Sequence, residues 1–226
     1  METKVYNLII VDKSGSMSPV TNATIAGVNE TIGSIQAAAR KNPEQKQLVS
    51  LLTFCGCERN YIFENTPAEE TRFITYKDYN PCCNTPLYDS VGFSCTSLEK
   101  QMGDDKFSTA CVTIITDGYE NSSTEYDRNA IAALITRLKE NGWMFAYVGA
   151  DHDVHKVAIE LKIDNVMQFD KNEADIKRMF EQNEFSRERF SVRFSQEMKE
   201  AHDSNMCEEE ILELKRRNSK EYYDGL

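Results

Sequence analysis

Two short apolar runs, each ending abruptly on an aspartate, constrain this chain more than any other feature. Val5-Tyr6-Asn7-Leu8-Ile9-Ile10-Val11 leads straight into Asp12, and Cys111-Val112-Thr113-Ile114-Ile115-Thr116 leads straight into Asp117. Neither run alternates between apolar and polar residues, so both faces are expected to be buried, as in the central strands of a parallel sheet. Such strands need helices above and below, and the intervening sequence supplies them. Ile25, Val28, Ile32 and Ile35 recur at helical spacing before Asn42-Pro43. Leu87, Val91, Cys95, Leu98 and Met102 form a second stripe, and Ile131, Leu134, Ile135 and Leu138 a third that stops at Asn141-Gly142.

Further strands are predicted over 48–54 and 60–63, joined by a Cys55-Gly56-Cys57 turn, and over 145–148 and 166–169. A short helix carrying Val154, Val157, Ala158 and Leu161 separates the last two. This alternation predicts an α/β fold: a doubly wound, mostly parallel sheet with helices on both faces. From about residue 172 the character changes. One domain over 1–185 is expected, followed by a charged helical extension over 186–226. Glu208-Glu209-Glu210 and Lys215-Arg216-Arg217 read as a solvated helix. Beyond about residue 195 that extension is expected to dock loosely.

Charge narrows the partners. A net charge of −11 disfavours non-specific binding to nucleic acid and docking on anionic lipid, since both depend on clustered Lys and Arg. Residues 1–11 lack the basic start and cleavage site of a signal peptide, and no stretch is long enough to span a membrane. A cytoplasmic setting follows, in which the seven cysteines are expected as reduced thiols rather than bridges. Cys55, Cys57, Cys82 and Cys83 form two close pairs, open to reading as a zinc site, a redox pair or free thiols.

The candidate site joins three segments. Asp12-Lys13-Ser14-Gly15-Ser16 follows the first strand, and Asp117-Gly118 follows the strand from Cys111. Thr85 precedes Pro86 at a helix start, where it is expected to act as the cap with Pro86 in the first turn. In doubly wound sheets the ligand crevice lies at the carboxyl ends of the strands. Asp12, Ser14, Ser16, Thr85 and Asp117 offer only oxygen, which suits Mg²⁺, Mn²⁺ or Ca²⁺ and not Zn²⁺.

Together these segments resemble the von Willebrand factor type A family and its metal-ion-dependent adhesion site, in the bacterial intracellular stand-alone form. Asp12-Lys13-Ser14-Gly15-Ser16 is similar to the family's Asp-x-Ser-x-Ser signature, Thr85 to its threonine element and Asp117-Gly118 to its second aspartate. The resemblance covers roughly residues 4–170. Where relatives carry glycines before the threonine, this chain has Cys82-Cys83-Asn84. The resemblance implies a Rossmann-like domain whose ion keeps one position open for an Asp or Glu of a protein partner. An AAA-type ATPase or a chaperone-like assembly is the partner class it suggests.

Binding without catalysis is therefore the expectation. The rival is a Mg²⁺-dependent phosphoryl-transfer or hydrolytic enzyme using the same crevice, with His152 or His155 of the Asp151-His152-Asp153-Val154-His155 run as base. Against it, the chain has neither an Asp-x-Asp pair after the first strand nor a Gly-rich phosphate cradle. A third reading is a scaffold whose ion is structural.

Overall fold

The computed structural model describes residues 2–117, 119–149, 154–168 and 173–222. Six strands form one sheet: β1 (Thr3–Asp12), β2 (Gln45–Cys55), β3 (Glu58–Pro67), β4 (Ser108–Thr116), β5 (Met144–Gly149) and β6 (Asn165–Gln168). Their order is β3-β2-β1-β4-β5-β6. All neighbours are parallel except β2 and β3, which form the antiparallel hairpin that the Cys55-Gly56-Cys57 turn predicts. Phe169, expected in the last strand, lies outside the described residues.

Helices α1 (Thr21–Lys41), α2 (Leu87–Met102), α3 (Arg128–Glu140) and α4 (Val154–Glu160) cover the sheet, and α5 (Glu173–Asp203) and α6 (Glu208–Lys220) follow it. The two-residue period of a strand sorts the core. Tyr6, Leu8 and Ile10 of β1, with Ala110, Val112 and Ile114 of β4, face α2, α3 and α4. Ile9, Val11 and Ile115 face Val28, Ile32 and Ile35 of α1. Among the described residues no helix is long and apolar enough to cross a membrane.

Two expectations are corrected. β2 and β3 start or end several residues beyond their predicted limits, because Gln45 and Gln47 look like surface residues yet are buried. The Gln47 amide donates to Gln45 Oε1 at 2.7 Å and the Ser191 hydroxyl to the same oxygen at 2.6 Å, so α5 helps to satisfy a strand-end acceptor, whereas Gln45 Nε2 is buried without a partner among the described residues.

The second correction concerns the tail. The boundary expected between residues 185 and 186 falls inside α5. Phe190, Phe194, Met198 and Ala201 of α5, Ile211 of α6 and Tyr222 form a third apolar cluster with Val5, Cys111, Met144 and Ala146. These strand residues lie near the amino ends of β1, β4 and β5. The tail is therefore a fixed cover over that half of the sheet, beside α1. Arg187 is buried under it and donates to Asn7 Oδ1 at 2.6 Å.

Candidate metal centre

The chain leaves β1 toward β2 and leaves β4 toward β5, in opposite directions, so a crevice opens between the carboxyl ends of β1 and β4. Val11 pairs with Ile115, which sets Asp12 at the end of one strand and Asp117 just past the end of its neighbour. Asp12 is fully buried. Its Oδ1 accepts the Ser14 N–H at 2.7 Å, its Oδ2 accepts the Thr116 hydroxyl at 2.7 Å, and its main-chain carbonyl accepts the Tyr79 hydroxyl at 2.6 Å. The carboxylate is thus held in one orientation before any ligand arrives.

Burial pushes the Asp12 carboxyl above the usual range, the bonds from Thr116 and Ser14 partly offset this, and the nearby Asp117 carboxylate adds to it. The same burial raises the phenols of Tyr79 and Tyr147. Two carboxylates close together at a buried strand end make a site that favours a cation.

The loop after β1 turns at once into a short helical segment, Gly15–Val20, anchored by the buried Met17. That turn brings the Ser14 and Ser16 hydroxyl oxygens to 3.1 Å. Neighbouring ligands on an octahedral ion at about 2.1 Å lie about 3 Å apart, so the pair matches one edge of such a shell. Among the described residues, Asp117 Oδ1 is buried with no hydrogen-bond partner, and so is the Tyr147 hydroxyl. An orphaned buried acceptor is costly unless something binds it. The residues present therefore fit a hard divalent cation.

Thr85 is buried, but it does not cap α2 as expected. The helix begins at Leu87 with Pro86 in the cap position and no side-chain capping bond. The loop after β4 does the capping instead: Glu120 accepts the Tyr88 N–H at 2.9 Å and the Ser123 hydroxyl accepts the Asp89 N–H at 3.0 Å. Asp89 reciprocates by accepting the N–H groups of Thr124, Glu125 and Tyr126. Burial opposes the charge on Asp89, yet those three donors hold its carboxyl below the usual range.

Asn121 then brackets Thr85, its side chain accepting the Thr85 N–H at 2.9 Å and its own N–H donating to the Thr85 carbonyl at 3.2 Å. Sequence reasoning missed Thr116, Tyr79, Glu120 and Asn121. The polar run Glu120-Asn121-Ser122-Ser123 behind Asp117 was the available signal for the last two.

Backbone bonds tie the remaining loops together. Gly15 N–H donates to the Cys83 carbonyl at 3.0 Å, Cys82 N–H to the Lys13 carbonyl at 2.8 Å, and Gly56 N–H to the Asn84 carbonyl at 2.7 Å. Cys57 and Cys83 are joined by a disulfide across 26 residues, which corrects the expectation that all seven cysteines are free. Cys55 and Cys82 face each other with their sulfurs 3.4 Å apart. The hydrogen bond with Cys55, together with burial, raises the Cys82 thiol, and Lys13 opposes that shift. Lys13 is itself ion-paired to Glu58.

Gly118, Asp151, His152 and Asp153 lie outside the described residues, and His155 is exposed on α4.

No family model and no curated protein matches the sequence. Solved structures do. The SpRpn10 VWA domain is similar with a TM-score of 0.52 at 14% identity, covering 78% of this chain and 94% of that one. A von Willebrand factor type A protein from Catenulispora acidiphila has a TM-score of 0.53 at 12% identity, covering 82% and 43% of the two chains. The open conformation of the pilus adhesin SpaC from Lactobacillus rhamnosus GG gives 0.56 at 14% identity, covering 82% and 30%. The chain thus spans nearly all of the first and less than half of the other two. With its six-stranded, mostly parallel sheet between layers of helices, this chain has the Rossmann-like α/β fold of von Willebrand factor type A domains.

Proposed function

We propose that this chain is a divalent-metal-dependent protein-binding module, with Mg²⁺ (or Mn²⁺ or Ca²⁺) held by Asp12, Ser14, Ser16, Thr85 and Asp117. The observation that carries this reading is the unpartnered, buried Asp117 Oδ1 beside a fixed Asp12 and a hydroxyl pair at 3.1 Å. When bound, the ion supplies an electrophilic position that only two protein carboxylates neutralise, and so attracts a third. Asp12 and Asp117 supply charge, while Ser14, Ser16 and Thr85 supply neutral oxygens. Asn121 fixes the Thr85 backbone, and Tyr79 and Thr116 hold Asp12 against the repulsion of Asp117.

The partner contributes an Asp or Glu side chain, and an AAA-type ATPase or chaperone-like assembly in the cytoplasm is the proposed setting. Catalysis is not part of the proposal. The test is capture from native lysate by wild type and Thr85→Ala, each in Mg²⁺ and in EDTA, with the retained partner quantified. Wild type in Mg²⁺ is expected to retain it far better than the other three conditions. Equal retention in all four would mean that any ion is only structural.

A further inference from the structure

A second set of ligand atoms lies next to the oxygen site, with the opposite chemistry. We propose that Cys55, Cys57, Cys82 and Cys83 form a tetrathiolate Zn²⁺ centre in the reduced chain. All four sulfurs lie within 4.8 Å of one another. With Zn–S distances of about 2.3 Å, the sulfurs of a tetrahedral centre are about 3.8 Å apart, so the cluster is already near that size. The Cys55 and Cys82 sulfurs, at 3.4 Å, span an edge of nearly the right length.

Ordinary chain geometry would not bring these sulfurs together. Adjacent residues in extended backbone send side chains to opposite sides. Cys83 instead has φ 62°, a left-handed conformation that costs energy for any residue but glycine, and it joins Cys82 in the cluster. On the other side, Gly56 lets the hairpin turn press against the loop: a Cβ there would meet the Asn84 N and Cβ at 3.2 Å. The remaining cysteines are elsewhere. Cys95 and Cys111 are wholly buried in apolar surroundings that push their thiols to about 12 and about 11, and Cys207 caps α6.

The chemistry balances simply. A dithiol reductant converts the Cys57–Cys83 disulfide to two thiols and is itself oxidised to a disulfide. Zn²⁺ then binds four thiolates, releasing the four thiol protons and leaving a centre of net charge −2. The nearby Lys13 ammonium offsets part of that charge. Thiolates select a soft ion and the carboxylate and hydroxyl set a hard one, so Zn²⁺ and Mg²⁺ sort themselves between neighbouring sites. Through the Gly15–Cys83 and Cys82–Lys13 bonds, the zinc centre would fix the spacing between the loop of Asp12 and the loop of Thr85.

The test is metal content of the full chain, purified with a phosphine reductant and no chelator, with free thiols counted in the same sample. One Zn²⁺ per chain is expected in wild type and in Asp12→Ala, and almost none in Cys55→Ser/Cys82→Ser. Wild type reloaded with Co²⁺ should show the visible bands of tetrahedral thiolate coordination, a readout that needs no variant to fold. Zinc-free wild type, whether with free thiols or with disulfides that survive reductant, would overturn the proposal. So would zinc that persists in the double variant, or zinc lost in Asp12→Ala, which would place the ion at the oxygen site. Mg²⁺ titration of wild type reports on the oxygen site separately, so either assignment can fail while the other stands.

Discussion

The carboxyl end of the sheet and its amino end both bury charge, but of opposite sign and in opposite settings. At the carboxyl end Asp12 is packed among donors and Asp117 keeps an oxygen without a partner. At the amino end the cover of α5 and α6 closes an apolar cluster over the strands and takes Arg187 inside with it. A surplus of buried acceptors at strand ends is a binding device, because a cation can satisfy them. A buried cation beneath the helix pair has no such outlet and is tolerated as a cost of closing the cover. Damage to the cover should therefore alter stability and spare ion binding, and damage to the crevice should do the reverse.

The largest effect should come from the cover. Phe194 is fully buried and stacks on Phe190 at 5.6 Å. Phe194→Ala is expected to cost about 3–5 kcal/mol in denaturant unfolding while the Mg²⁺-induced rise in Tm persists. A loss under about 1 kcal/mol would show that the cover docks loosely and the contrast between the two ends is false.

Lys215 gives the next effect. Burial depresses its pKa from 10.5 to about 8, with Asp105 opposing the shift. Between those values the unfolded chain binds the proton that the folded chain has lost, so Lys215 contributes stability that rises with pH across about 8 to 10.5, against the loss that the raised Cys95 and Cys111 thiols contribute above about 9. That contribution is at most about 3.4 kcal/mol, and the wild-type profile minus that of Lys215→Met should rise by up to this much across the window. Superimposable wild-type and Lys215→Met profiles across this window would mean that the amine is solvated.

At the crevice, Asp117→Ala should abolish the metal-linked stabilisation, about 2.7 kcal/mol at a hundredfold excess of Mg²⁺ over its dissociation constant. In EDTA the variant should unfold at least as late as wild type, since it removes a carboxylate that repels Asp12. A Tm shift equal to that of wild type would remove Asp117 from the site. Asn121→Ala is the finest probe. It leaves every proposed ligand in place and frees the Thr85 backbone, so calorimetric titration should show Mg²⁺ affinity reduced about tenfold. Unchanged affinity would show that Thr85 is positioned from elsewhere.

The two ends also differ in how far they can be read from sequence. Strand-end aspartates, the Asp12-to-Ser16 spacing and the helical stripes gave the sheet, its helices and the order of the site's parts, because each is a local pattern. The cover was legible only in part. Its contacts recur at Phe190, Phe194, Met198 and Ala201, one stripe that a loosely docked tail beginning near 195 cut in two. The low apolar content around that stripe hid it. Thr85 was assigned a capping role because Thr before Pro is a common helix start. The Glu120-to-Ser123 loop took that role through contacts more than 30 residues away, which no local window contains. The disulfide was missed for a similar reason: spacing alone does not say which cysteines meet.

Burial of Val5 against Phe190, Phe194 and Tyr222 also has a consequence for how the chain is made. About 185 residues must be translated between the first strand and the first residue that covers its amino end. At about 5–20 residues per second, that leaves Val5 uncovered on the nascent chain for roughly ten to forty seconds, with Cys111 and Met144 joining it only as they are made. Once β5 has joined, and until the cover is made, the sheet is bare at its amino end, a surface that attracts holdase chaperones and neighbouring nascent chains. Slowing synthesis upstream of Phe190 would lengthen the exposure, and yield of native protein should then fall most steeply in cells depleted of ribosome-associated chaperones.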